Sequence, residues 1–102
     1  MNDEQIKNLV KVIEESGEWE RIPTTITGVN IVKPPENNNQ QNVLVEVFPV
    51  HQGQIIKRKG VYIKNLEELE AFKEILLNPK VKELTEVIST YYNKKKITKI
   101  EI

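Results

Sequence analysis

Apolar positions recur every second residue at Val43, Val45 and Val47, with Leu44, Glu46 and Phe48 between them, and that period predicts a strand. Gly53, just beyond, supplies the positive φ of a tight turn, and the chain from Ile55 to Lys64 reads as the returning strand. Asn65 then caps a helix, with Glu68 three residues on as in a capping box. Its buried stripe is Leu66, Leu69, Phe72 or Ile75, and Leu76. The stretch 42–77 is therefore the organising unit: strand, turn, strand, capped helix. With Gln52-Gly53 as a two-residue turn, Val47 faces Arg58, Phe48 faces Lys57 and Glu46 faces Lys59. Val43, Val45, Val47 and Ile56 then share one face; Leu44, Phe48, Ile55, Lys57 and Lys59 share the other.

The pattern elsewhere supplies the remaining elements. Ile6, Leu9, Val10 and Ile13 form one helical stripe, capped by Asn2 or Asp3 and ended at Ser16-Gly17 with the glycine left-handed. The tryptophan that follows, Trp19, either closes the core, the favoured reading, or stacks a base with Arg21 beside it. Residues 22–33 are β-prone throughout, with a bulge expected near Gly28, where the phase shifts. Residues 37–42 are all Asn or Gln and predict a flexible exposed loop between two strands. Asn78-Pro79 opens another helix, 80–92, with Val81, Leu84, Ile88 and Tyr91 at coiled-coil-like spacing. This seam packs either on the chain's own sheet or on a second chain. Residues 97–102 alternate again and predict a last edge strand or an intersubunit arm. The fold class expected is α+β: a small antiparallel sheet of three to five strands, an N-terminal helix and C-terminal helical segments, in a single domain, 1–102.

Composition narrows the function. The chain has 102 residues, no cysteine and one histidine. Disulfides and thiolate metal sites are excluded, and His51 lacks a partner ligand. No apolar run reaches the roughly 18 residues of a membrane span, and the acidic, amphipathic N-terminus is unlike a signal peptide. A cytoplasmic location is the expectation. Thr24, Thr25 and Thr27 have no base placed by sequence, and no glycine-rich phosphate loop is present. No catalytic residue, metal or cofactor is expected, and the protein is read as no enzyme.

Net charge is zero, but its distribution is uneven. Residues 1–20 carry −4, residues 21–64 carry +4, residues 65–93 carry −3 and residues 94–102 carry +3. The expected strands are basic and the expected helices acidic. Phosphate binding depends on local potential rather than on the sum, while glutamates on exposed helix faces and lysines at strand edges are also ordinary surface choices. A sheet face mixing rings and cations suits single-stranded nucleic acid, because phosphates need cations and bases stack on rings. The first-ranked residues are Lys57, Lys59 and Phe48, followed by Arg58, Tyr62, Trp19, Arg21 and Lys64. If Phe48 is core instead, the binding face is the one carrying Arg58 and Tyr62.

The stretch Lys57-Arg58-Lys59-Gly60-Val61-Tyr62-Ile63-Lys64-Asn65-Leu66-Glu67-Glu68-Leu69 resembles the strand-to-helix junction of the positive cofactor four coactivator family. Over nearly its full length, the order of elements resembles the ThermoDBP-related single-stranded-DNA-binding proteins of hyperthermophilic archaea, and the high Lys, Glu and Ile content suits such a source. The resemblance implies a cofactor-free homo-oligomer, a dimer or tetramer, that binds single-stranded DNA or RNA, with Lys57, Arg58 and Lys59 on the backbone. The competing expectation is a protein-interaction or assembly module in which Val81, Leu84, Ile88 and Tyr91 matter and the basic segment only solubilises.

Overall fold

Asn2 opens helix α1 (Asp3–Glu15) in the computed structural model, which describes residues 1–92. Its side chain accepts from the Gln5 amide at 2.8 Å, and the Gln5 side chain accepts in return from the Asn2 amide at 2.9 Å. This reciprocal box satisfies two of the orphan donors of the first turn. Leu9 and Ile13 are half-buried, while Ile6 and Val10 remain exposed. The helix ends at Ser16, in extended conformation, whose hydroxyl donates to the Ile13 carbonyl at 2.7 Å. Gly17 is not left-handed as expected: the Glu20 carboxylate accepts from its amide at 2.7 Å, and the positive φ falls on Trp19 instead, at 62°. Trp19 is 56% exposed, so it does not close the core.

Six short strands follow: β1 (Arg21–Pro23), β2 (Val29–Val32), β3 (Leu44–Val47), β4 (Val50–His51), β5 (Gln54–Ile55) and β6 (Val61–Ile63). Four of them make an antiparallel sheet in the order β1-β2-β3-β6; β4 and β5 pair separately. The expected phase shift at Gly28 is a hairpin turn rather than a bulge within one strand. β1 and β2 pair with each other, Arg21 opposite Val32, and Gly28 sits in their connection at φ 86°. A Cβ there would lie 2.7 Å from the Val50 side chain and 2.8 Å from the Phe48 carbonyl, so only glycine fits. The Asn/Gln stretch, still a connection between two strands, contains a turn. Asn37 and Gln40 exchange backbone hydrogen bonds at 3.0 and 2.9 Å, with Asn38 and Asn39 both left-handed at φ 53° and 59°. Asparagine tolerates that region, and two such residues in a row form the two-residue turn that suits strand twist.

Cross-strand partners share a face, and the register separates the two faces sharply. Ile22, Ile31, Val45 and Ile63 align on one face beside Val29, Val47 and Val61. Asn30, Glu46 and Tyr62 align on the other, with Arg21 and Val32 in the adjacent row. Val32 and Phe48 are the buried apolar side chains among the described residues, and Glu46, only 2% exposed, lies between them in the strand pattern.

Two units are distinguished along the chain, Met1–Glu68 and one beginning at Leu69. Helix α2 (Leu66–Leu76) starts as expected: the Asn65 side chain accepts from the Glu68 amide at 2.9 Å, and Glu68 reaches back to the Lys64 amide at 2.8 Å. Helix α3 (Pro79–Tyr91) is capped by Asn78, whose side chain accepts from the Lys80 amide at 2.9 Å, with proline in the first turn. Neither helix holds a buried residue. No helix of the described residues is long and apolar enough to cross a membrane. The strand expected at 97–102 lies outside the described residues.

Candidate functional site

The turn at Gln52-Gly53 is as expected, with φ 52° and 77° and His51 opposite Gln54. The register beyond it is not. Continuing the β4–β5 pairing would set Val47 opposite Arg58, as the sequence reading had it, but the sheet sets Val47 opposite Val61, three residues further along. The hairpin ends where the Ile56 amide donates to the Pro49 carbonyl at 3.0 Å. On the outgoing side only Phe48 then separates Pro49 from β3, whereas the return side holds Lys57, Arg58, Lys59 and Gly60. The three surplus residues form an irregular segment, and the cations sit in it. No strand alternation therefore governs Lys57, Arg58 and Lys59, and the expectation that adjacent residues point to opposite faces fails. Arg58 and Lys59 together line one depression of about 270 Å³, with Arg21, Glu46, Gly60 and Tyr62.

Gly60 makes this segment possible. A Cβ at that position would lie 2.5 Å from the Val47 carbonyl oxygen and 3.2 Å from the Phe48 ring. The return chain thus rejoins the sheet through a contact closer than any other residue permits.

Phe48 was expected on the exposed lysine face and is instead 8% exposed. Its amide donates to the Gly28 carbonyl at 2.7 Å, which extends the β2–β3 register by one pair. The guanidinium of Arg21 lies over its ring, 5.5 Å from the centroid. Phe48 is therefore the floor beneath a cation rather than a free stacking platform, although it shares the face of Tyr62. Tyr62 is exposed and stands opposite Glu46. Lys57 and Lys64 are exposed outside the lining, as is Trp19 two residues before Arg21.

Glu46, expected opposite Lys59, stands opposite Tyr62 and organises the depression. Arg21 donates to it through Nε at 2.8 Å and Nη2 at 3.1 Å, and Asn30 Nδ2 donates at 3.2 Å. Burial pushes the Glu46 carboxyl up, but hydrogen bonds from Arg21 and Asn30, the Arg21 charge and the neighbouring Tyr62 hydroxyl outweigh it and hold the group below the usual carboxylate range. The Arg21 guanidinium is held above its ordinary value by the Glu46 hydrogen bond and charge. The signal for this role was present: Glu46 is the lone acid in the run VLVEVFPV. Its partner Arg21, however, lies 25 residues away.

With Glu46 neutralised by Arg21, the rim carries two further cations, Arg58 and Lys59, beside an exposed phenol ring. Such a set can hold an anion and stack a planar group. Among the described residues no group of three or more His, Asp or Glu is placed to hold a metal ion. The α3 residues Val81, Leu84, Ile88 and Tyr91 lie in the other unit; Val81 is half-buried, and Leu84, Ile88 and Tyr91 are exposed. No family model, curated protein or solved structure matches the chain.

Proposed function

We propose that this protein is a non-catalytic single-stranded nucleic-acid-binding protein, weakly dependent on sequence, that works in the cytoplasm as a homo-oligomer. The observation that carries this reading is the convergence of Arg58, Lys59, Arg21 and Tyr62 around one depression beside a neutralised Glu46. The cations take backbone phosphates and Tyr62 stacks a base, which is the division of labour of sequence-tolerant single-strand binders. Lys57 on the same segment and Lys64 just after β6 add to the local positive potential. Trp19, exposed beside β1, is a second ring within reach of Arg21 in sequence. The likeness of residues 57–69 to the positive cofactor four junction points the same way. A titration with single-stranded and duplex DNA at two salt concentrations tests the proposal. It requires tighter binding of the single strand and a steep loss of affinity with salt.

A second reading has its own observation. Leu84 and Tyr91 on α3, with Leu66 and Leu76 on α2, leave large apolar side chains in solvent, as expected of helices that meet a second chain. On that reading the protein is an assembly module, and the DNA titration finds no binding. Self-association through α3 is common to both readings.

A further inference from the structure

We infer that Glu46 is a positioning residue: it holds Arg21 over Phe48 so that the outer edge of the guanidinium faces the depression shared with Arg58, Lys59 and Tyr62. This rests on the proposed nucleic-acid reading and names the residue that orients its phosphate contact.

The geometry is restrictive. Nε and Nη2 of Arg21 both point at the two oxygens of Glu46, a fork-on-fork pair that fixes the plane of the guanidinium. Asn30 Nδ2 donates to the same Oε1 that takes Nε, so the carboxylate is fixed in turn from β2. The guanidinium carbon stands over the Phe48 ring, 5.5 Å from its centroid. Among the described residues Nη1 makes no hydrogen bond, and the Arg21 side chain is more than half exposed although its partner is buried. An arginine on an edge strand otherwise samples many rotamers, and ordering it at the moment of binding costs entropy. Glu46 removes that cost beforehand, while its own charge is already taken up by Arg21.

A carboxylate beside an anion site lowers affinity if only charge counts, and this opposition makes the inference testable. Glu46→Gln raises the local charge by one and keeps the shape. It also turns one oxygen of the fork into an amide that cannot accept from Arg21. Fluorescence titration of the full chain with labelled oligothymidylate is expected to show about tenfold weaker binding for Glu46→Gln, the loss of one charge-assisted contact. In the same protein without DNA, the Arg21 Nε–H resonance is expected to lose its protection from solvent exchange. Arg21→Lys keeps a positive charge beside the buried Glu46 without the fork; with folding checked by circular dichroism, it is expected to weaken binding equally. Glu46→Gln added to Arg21→Lys is then expected to cost nothing more. Unchanged or tighter binding by Glu46→Gln, or unchanged binding by Arg21→Lys, overturns this inference alone. Failure of the wild-type chain to bind the oligonucleotide overturns the functional reading with it.

Discussion

Gly60→Ala is the perturbation that reads the displaced register most directly. The added Cβ would stand 2.5 Å from the Val47 carbonyl oxygen and 3.2 Å from Phe48 Cδ1. The first contact is with backbone in the central sheet, almost an ångström inside ordinary contact, and no rotamer relieves it. Either β6 separates from β3 or the segment 56–60 lifts from the sheet. Overpacking of this kind costs about 1–3 kcal/mol, and each kcal/mol moves the melting temperature of a domain this size by about 4–8 °C. Thermal denaturation followed by circular dichroism is expected to show a fall of roughly 5–20 °C. Gly17→Ala is the control, since its Cβ meets only the flexible end of Glu20 at 3.7 Å. Gly53→Ala is sterically free but sits at φ 77°, so it is expected to lose about 1 kcal/mol through backbone strain alone. A Gly60→Ala protein that melts with the wild type refutes the close approach, and with it the displacement of Lys57 to Lys59 from the strand.

Phe48→Ala is expected to lower stability by about 3–5 kcal/mol, as for a buried aromatic, whereas Tyr62→Ala is expected to weaken single-strand binding by about 1–3 kcal/mol with a smaller fall in melting temperature than Phe48→Ala; melting curves and titrations on both variants check the pair. Because Glu46 has a folded-state pKa below its unfolded one, its contribution to stability is present above the ordinary carboxylate pKa of about 4.3 and is lost as pH falls through the lower folded value. The difference in melting temperature between wild type and Glu46→Gln is therefore expected to shrink as pH drops below about 4, and a difference that stays constant contradicts it. Leu84→Glu with Ile88→Glu is expected to reduce the mass seen by light scattering while the circular dichroism spectrum is kept, since both side chains are exposed on α3.

What the sequence made legible was local. Asn2, Asn65 and Asn78 identify three helix starts because a cap bonds within its own first turn. Gln52-Gly53 identifies a turn because the φ demand falls on those two residues alone. The face of Arg58 and Lys59 was not legible, because alternation assumes one continuous register and says nothing of three surplus residues on one side. Their only trace is Gly60, a small residue whose need is set by Val47, thirteen positions earlier. Phe48 falls between the valine positions, on the face assigned to Lys57 and Lys59, so it read as a surface ring, yet the Gly28 connection and Arg21 cover it. Trp19 was misjudged for the converse reason: a burial preference says nothing of a residue held at positive φ outside the helix. The polar cluster of Arg21, Asn30, Glu46 and Tyr62 depends on pairing across four strands, which no local pattern reports.

The salt dependence of single-strand binding, measured for the wild type and for Arg58→Ala with Lys59→Ala, tests the central claim most directly. Each phosphate contact on a single strand contributes about 0.7 to the slope of log K against log salt. Loss of the two rim cations is expected to weaken binding and to flatten the slope by about 1.4, with the melting temperature unchanged. Lys57→Ala with Lys64→Ala removes the same charge outside the depression and is expected to do less. An unchanged slope in the Arg58/Lys59 variant, or an equal loss in the Lys57/Lys64 variant, contradicts the account.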